Sequence, residues 1–345
     1  MERCRFILAE SGNYPVRILC RVMRVSRSCY YSWAARLEAR KAPCANAERV
    51  RECFERNSRR YGSRRIAAEL GMGRYRVRRL MREQKLVAIR PRSFIPKTTD
   101  SGHKAAVSPN LLEKGGNQPQ SWGEVLVGDI TYLRLIGGAF CYLATFQDKL
   151  TRRIVGWAVS ASMTRHLVTG ALRMGLRRGL VRQGAIVHSD RGSQYASRDY
   201  RELLEMHGLR QSMSGKGNCY DNAQAESFFS RFKSELVEDG AFESVEQAIS
   251  EAFSYIEGYY NPKRLHSGIL YLTPIEFENL LRFDNWELIN ELKSLPVKQR
   301  RALLASNPSR NSRQETHQQM SVGGASPKAV PPSEPLQKVD RFPYA

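Results

Sequence analysis

The chain has no hydrophobic run of membrane length. Nowhere do its apolar residues approach the roughly 18 in succession that a spanning helix needs, so no membrane segment is expected. The opening also lacks the makings of a leader. In Met1-Glu2-Arg3-Cys4-Arg5-Phe6-Ile7-Leu8 the apolar run is too short, and Glu10 and Asn13 interrupt the residues after it, which predicts a protein that stays in the cytoplasm. Cysteine is sparse and unpatterned. The seven at positions 4, 20, 29, 44, 53, 141 and 219 form no C-x-x-C pair and are odd in number, which suggests neither a disulfide framework nor a zinc module. They read as reduced thiols that mostly pack. Acidic side chains are few beside basic ones: 34 Asp and Glu against 55 Lys and Arg leave a formal net charge of +21. Such an excess favours a polyanion, because counterion release from DNA or RNA then supplies much of the affinity. Very basic soluble proteins without that role share the composition.

The chain falls into segments of different character, and 345 residues suffice for two or three domains with their own cores. Residues 1–88 read as helical and basic. A short helix over Tyr14 to Met23 is followed by a turn and a second helix through Trp33, with Ser26 as its N-cap. A second pair runs from Ser63 to Leu70, breaks at Gly71-Met72-Gly73, and resumes from Arg74 to Lys85. In that last helix Val77, Leu80, Met81 and Gln84 share a face, while Arg74, Arg76, Arg78, Arg79 and Arg82 cover the others. Helix, tight turn and arginine-laden helix is how a DNA-binding helix-turn-helix reads. Two ordinary amphipathic helices with solvated arginines fit the same pattern.

Residues 89–122 dissolve into Pro, Ser, Thr, Lys, Gly and Asn, a linker that suits tracking along DNA. The period then changes. Val125 to Ile136, Ala139 to Asp148 and Arg153 to Ala161 predict three consecutive antiparallel strands. Next come a helix from Thr164 to Leu180, a buried strand at Ala185 to His188, a helix from Ser197 to His207 and a strand at Leu209 to Met213. Helices are then expected over Asn222 to Val237 and Val245 to Tyr260. This order, spanning residues 123–281, is that of an α/β, ribonuclease H-like mixed sheet flanked by helices. Residues 282–345 read as an extra tail: one more helix over Trp286 to Leu295, then disorder beyond Ser306.

Three carboxylates stand out. Asp129 interrupts the apolar strand Val127-Gly128-Asp129-Ile130-Thr131-Tyr132, where burial without a partner costs several kcal/mol. Asp190 lies just after the strand residues Ile186-Val187-His188, at the end where open sheets present functional groups. Glu226 lies on a helix, four residues after Asn222 and on the same face. Any one alone reads equally as a solvated or capping residue. Together they offer the oxygen ligands that hard divalent cations take, and two such ions on shared carboxylates suit transfer at a phosphodiester.

Asp190 and Glu226 are separated by 35 intervening residues, which resembles the D-D-35-E signature of retroviral-type integrases and insertion-sequence transposases. The flanking residues are more specific. Gly128 to Tyr132, His188 to Tyr195, Ser212 to Ala223, Phe228 to Leu236 and Tyr260 to Ser267 all resemble the second reading frame (OrfB) of the IS3 family. Val25 to Trp33 and Tyr61-Gly62-Ser63-Arg64-Arg65-Ile66 do so too, and the likeness runs from about residue 4 to 280. The resemblance implies a DNA transposase in which Asp129, Asp190 and Glu226 are catalytic and ligate two divalent ions, Mg²⁺ or Mn²⁺. Lys233 matches the family's basic position; seven residues past Glu226 it lies about 10 Å along the same side, where it would touch a DNA phosphate or be solvated. Arg74, Arg76, Arg78, Arg79 and Lys216 are further candidate DNA contacts, Lys216 within a glycine loop over the site. His188 reads as either a second group behind the carboxylates or a packed strand residue. Asn222 reads as orienting Glu226 or contacting substrate.

As partners the resemblance implies the element's inverted-repeat ends and target DNA, a homo-multimer that synapses two ends, and an upstream OrfA-type protein joined by frameshifting. The alternative is a non-catalytic DNA-binding regulator derived from a transposase. A zinc-bearing integrase would need an N-terminal H-H-C-C site, and the first histidine is His103. Two departures from the family stand near the motifs: Gly128 where a threonine is usual, and Leu270 where a glycine is expected before Tyr271.

Overall fold

The computed structural model describes residues 2–41, 45–89, 107–112, 118–215, 223–236 and 241–306. Helices α1 (Glu2–Glu10), α2 (Val16–Val22) and α3 (Arg27–Lys41) pack around Cys4, Ile7, Leu19, Cys20 and Tyr30. The Ser26 hydroxyl accepts from the Cys29 amide at 3.1 Å, the capping bond expected at the start of α3. Helices α4 (Ala45–Arg56), α5 (Ser63–Leu70) and α6 (Arg74–Glu83) form a second unit. Between α5 and α6 the chain turns through Gly71 at φ +63°, a left-handed conformation that glycine adopts freely. Helix α6 buries Val77, Leu80 and Met81, the face its spacing predicts. Helix α4 was not among the expected elements.

The sheet has the expected order. Strands β1 (Val125–Arg134), β2 (Phe140–Asp148) and β3 (Ile154–Ser160) form an antiparallel meander, α7 (Arg165–Arg177) crosses over, and β4 (Ile186–Ser189) returns parallel to β1. Helix α8 (Arg198–Met206) leads to β5 (Arg210–Met213), parallel to β4, giving the order β3-β2-β1-β4-β5. Alternation along β2 feeds two cores: Cys141 and Leu143 face one, Ala144 and Phe146 the other, with α7 and α8. Helix α7 can lie close on β3 because Gly156 leaves a notch; a Cβ there would sit 2.1 Å from the Ala171 carbonyl oxygen. The turn after β2 is held by Asp148, which is buried and accepts from the amides of Gly123, Leu150 and Thr151. Burial pushes its carboxyl up to about 6.

Helices α9 (Ala223–Leu236) and α10 (Val245–Tyr255) cover the opposite face of the sheet. The chain then widens into a π-helical turn, Ile256–Tyr260. Helix α11 (Pro274–Arg282) starts from a capping box between Thr273 and Glu276, and leads to α12 (Trp286–Ser294) and α13 (Val297–Ser306). Packing continues across the boundary expected at residue 281: Leu288, Ile289, Leu292 and Leu304 share one cluster with Ile269, Leu272 and Phe277. The segment after Ser306, expected to be disordered, lies outside the described residues, as does much of the expected linker. Within that linker, Ser108 donates to Gln211 at 2.8 Å and Leu112 packs with Val125 and Ile186, so residues 107–112 run beside β4 and β5.

Both departures from the family pattern have a structural counterpart. Leu270 takes φ +63°, the left-handed conformation in which glycine is favoured. Gly128 pairs directly with Phe146 across β1 and β2, and a Cβ on it would lie 2.5 Å from the Phe146 ring. The large ring fills the space that a side chain at 128 would need. Gly128→Thr is therefore expected to destabilise the fold by about 2 kcal/mol through overpacking, and Phe146→Ala by about 3–5 kcal/mol through a cavity. In thermal unfolding the double variant should lose at least about 1 kcal/mol less than the two single losses combined, since one change vacates what the other needs. Strict additivity would mean that the two residues do not compete for one volume.

Candidate active site

The parallel register of β1 on β4 positions the first two carboxylates. Val125 pairs with Ile186, Leu126 with Val187 and Val127 with His188. Continued by two residues, that register sets Asp129 level with Asp190, on neighbouring strands at the end where β4 runs out. Each carboxylate is oriented by a local amide: Asp129 Oδ1 accepts from Ile130 N–H at 2.8 Å, and Asp190 Oδ1 from Gly192 N–H at 3.0 Å. A Cβ on Gly192 would lie 3.0 Å from that same Asp190 oxygen, so any side chain there would crowd the carboxylate.

Sequence reasoning missed Tyr195. It is buried, and its hydroxyl has no hydrogen-bond partner among the described residues. Burial, then the negative charges of Asp129 and Asp190, hold its pKa well above the usual phenol value. The phenol therefore stays protonated within reach of the field of both aspartates. Its ring lies edge-on to Phe146 and Tyr200, which fixes its place. Only its position five residues after Asp190 hinted at this.

Helix α9 carries Glu226, the third carboxylate that the sequence singled out. Phe228, Phe229 and Phe232 anchor it in the core, and Gln224 donates to the Asp148 carbonyl at 3.1 Å, tying its start to the end of β2. Glu226 stands exposed in the first turn. Lys233, two turns further, is partly buried; desolvation lowers its pKa and the charge of Asp129 opposes that. The two aspartates thus come together with Lys233 beside Asp129. Among the described residues no group of three or more His, Cys, Asp and Glu side chains is gathered closely enough to hold a metal ion. Lys216 and Asn222 lie outside the described residues. His188 is fully buried, with Nδ1 2.8 Å from Ser212 Oγ and Nε2 3.1 Å from Ser214 Oγ, so it packs as a strand residue with both nitrogens engaged. The donor set that the aspartates and Glu226 offer is all oxygen, and the concentrated charge at the pair suits a hard cation.

The helical unit presents a second surface. Arg74, Arg76, Arg78, Arg79 and Arg82 are all exposed on α6, and Tyr75, which the helical pattern did not single out, is 83% exposed among them. Among the described residues no helix is long and apolar enough to cross a membrane.

Comparison with known proteins matches these parts one by one. The integrase core domain family matches residues 119–219, a second integrase core domain family matches 226–280, and an HTH-like domain family matches 42–94. The chain is 39% identical over 286 residues to the transposase InsF for insertion sequence IS3A of Escherichia coli K12, covering 79% of this chain and 97% of that one. It is also 39% identical over 266 residues to a 31 kDa protein of insertion element IS600 from Shigella sonnei, covering 75% and 97%. Among solved structures, the HTLV-2 integrase catalytic core domain in complex with magnesium aligns with 47% of this chain and 99% of that chain, at 11% identity and a TM-score of 0.37. With such identity across nearly the whole of an InsF relative, and a helix-turn-helix-like unit preceding an integrase core, the chain belongs to the IS3 family of insertion-sequence transposases.

Proposed function

We propose that this chain cuts one DNA strand at each end of an insertion sequence and joins the freed 3′ end to a new phosphodiester, with Asp129, Asp190 and Glu226 as the catalytic carboxylates. The observation that carries the reading is the β1–β4 register, which sets Asp129 beside Asp190 where an open sheet presents its functional groups. Helix α9 packs across β1 and carries Glu226, which would serve as the third ligand. The carboxylates would hold two divalent ions, Mg²⁺ or Mn²⁺, whose Lewis acidity supports attack by one oxygen and departure of another.

The chain's own side chains do the rest. Tyr195, kept protonated, would have a hydroxyl hydrogen to offer one of the aspartates once that carboxylate turns toward it. Lys233, near Asp129, would meet a phosphate of the element's end. The arginines of α6, with Lys216, bind duplex backbone. Phosphate contacts of this kind fix register and orientation, whereas sequence is read at base edges. The working species is a homo-multimer that synapses two ends in the cytoplasm, with an upstream OrfA-type protein supplying further end recognition.

The test is strand transfer on a labelled element-end oligonucleotide with Mg²⁺ or Mn²⁺. Wild type should give joined product that a chelator abolishes. Glu226→Gln, Asp129→Asn and Asp190→Asn should each lose it by on the order of a thousandfold or more while still binding the DNA. Binding by all without cleavage by any, even with the upstream protein attached, would instead identify a DNA-binding regulator.

The α6 arginines make a separate prediction. Arg76→Ala and Arg79→Ala should each weaken DNA binding at low salt and reduce the slope of log affinity against log salt by about 1. An unchanged slope would remove that face of α6 from the DNA interface.

A further inference from the structure

The helix-turn-helix-like unit is not merely strung before the catalytic core; it is built into it. Its Val50, Phe54, Tyr61 and Ile66 share one hydrophobic cluster with Phe228, Tyr255 and Leu265 of the core. Polar bonds give this contact a defined register. Tyr61 is fully buried, its hydroxyl donates to the Lys263 carbonyl at 2.9 Å, and it accepts from the Leu265 amide at 2.8 Å. Arg65, on α5, donates through Nε to the Leu265 carbonyl at 2.7 Å. Residues about 200 positions apart in sequence thus close three bonds onto one stretch of backbone.

That stretch is held from its other side by the helix that carries the catalytic glutamate. Arg264, between the two clamped residues, reaches Glu235 of α9 at 2.5 Å, and both side chains are almost wholly buried. Tyr255 donates to the same Glu235 oxygen at 2.8 Å. Glu235 lies nine residues, or about 14 Å, along α9 from Glu226. A continuous set of bonds therefore joins α5, which leads directly into the arginine-bearing α6, to the helix bearing Glu226 and Lys233.

We propose that Tyr61 and Arg65 are positioning residues that lock the arginine-bearing helix at a fixed distance from the catalytic carboxylates, so that the protein cuts at a set spacing from the duplex it grips. A DNA-binding unit on a flexible tether tolerates many spacings between the bound sequence and the cut. One clamped by buried bonds on a shared core tolerates one. The inference rests on the transposase reading.

The test uses the full chain with an end oligonucleotide, comparing wild type with Tyr61→Phe, the Tyr61→Phe/Arg65→Ala double variant and Arg65→Lys. DNA affinity, cut positions at nucleotide resolution and hydrogen exchange of the DNA-free protein are read together. Affinity should stay within about threefold, because the clamp lies away from the exposed α6 arginines. Cleavage should spread from one phosphodiester to its neighbours in the double variant, and Arg65→Lys should keep the single position. A single wild-type cut position in the double variant, whatever its yield, would overturn the proposal. So would loss of DNA binding in the milder Tyr61→Phe. If wild type cuts nothing even with the upstream protein attached, the transposase reading fails and hydrogen exchange alone decides the lock. Exchange rising by about tenfold together over 61–83 and 259–266 in the double variant supports it, and unchanged exchange refutes it.

Discussion

The pairing of β1 with β4 is the constraint on which the rest of the molecule depends. It is short, only three residue pairs in parallel register, yet it decides which side chains of two distant segments stand side by side. A slip of one residue would turn Asp129 to the other face of the sheet and separate it from Asp190. The packing around the paired strands is tight. Phe146 occupies the volume opposite Gly128, Tyr195 and Tyr200 close around Phe146, and the α7 crossover settles into the notch at Gly156. The core beneath the site is therefore aromatic and close-fitting, and the carboxylates sit on its rim.

A buried ion pair performs the corresponding task on the other face. Burial alone lowers the pKa of Arg264, but Tyr255, Glu235 and Tyr259 more than reverse the effect, so the guanidinium stays charged. A buried pair of this kind adds little net stability compared with apolar packing, while breaking it by removing one partner is costly. Its value here is geometric. It ties α9 to the segment that receives Tyr61 and Arg65, and so relates the arginine surface of α6 to the carboxylates. His266, in the same region, is held well below its usual pKa by burial and by the charges of Arg264, Arg65 and Arg152, and remains neutral beside the pair.

Much of this is legible in the sequence. The alternation of β2 and the apolar run of β4 announce their strands, and the face Val77, Leu80, Met81 announces how α6 packs. The two aspartates are visible because charge inside or at the end of an apolar strand is costly unless it has a purpose. Glu226 is visible chiefly through its spacing from Asp190 and its family context, since an exposed helical glutamate carries no signal of its own. The features that local patterns do not reveal depend on contacts between distant residues. Tyr195 reads as one more aromatic until the fold buries its hydroxyl near two carboxylates. Tyr61 and Arg65 stand within a family motif, but their partners lie about 200 residues away, beyond any local pattern. Helix α13 is hidden in a tail of polar composition and is fixed by contacts with α5, where Gly71 comes within 3.0 Å of Lys298 if given a Cβ.

When DNA is engaged, the aspartate pair and Glu226 should form one cation site, and the whole functional reading turns on that. The most direct measurement is a crystal structure of the chain with an element-end duplex and Mn²⁺, with the ions located by anomalous diffraction. An anomalous peak is expected within coordination distance of both Asp129 and Asp190, with the Glu226 carboxylate drawn to a bound ion. Mn²⁺ found only elsewhere, with none at the aspartate pair while DNA is in place, would contradict it.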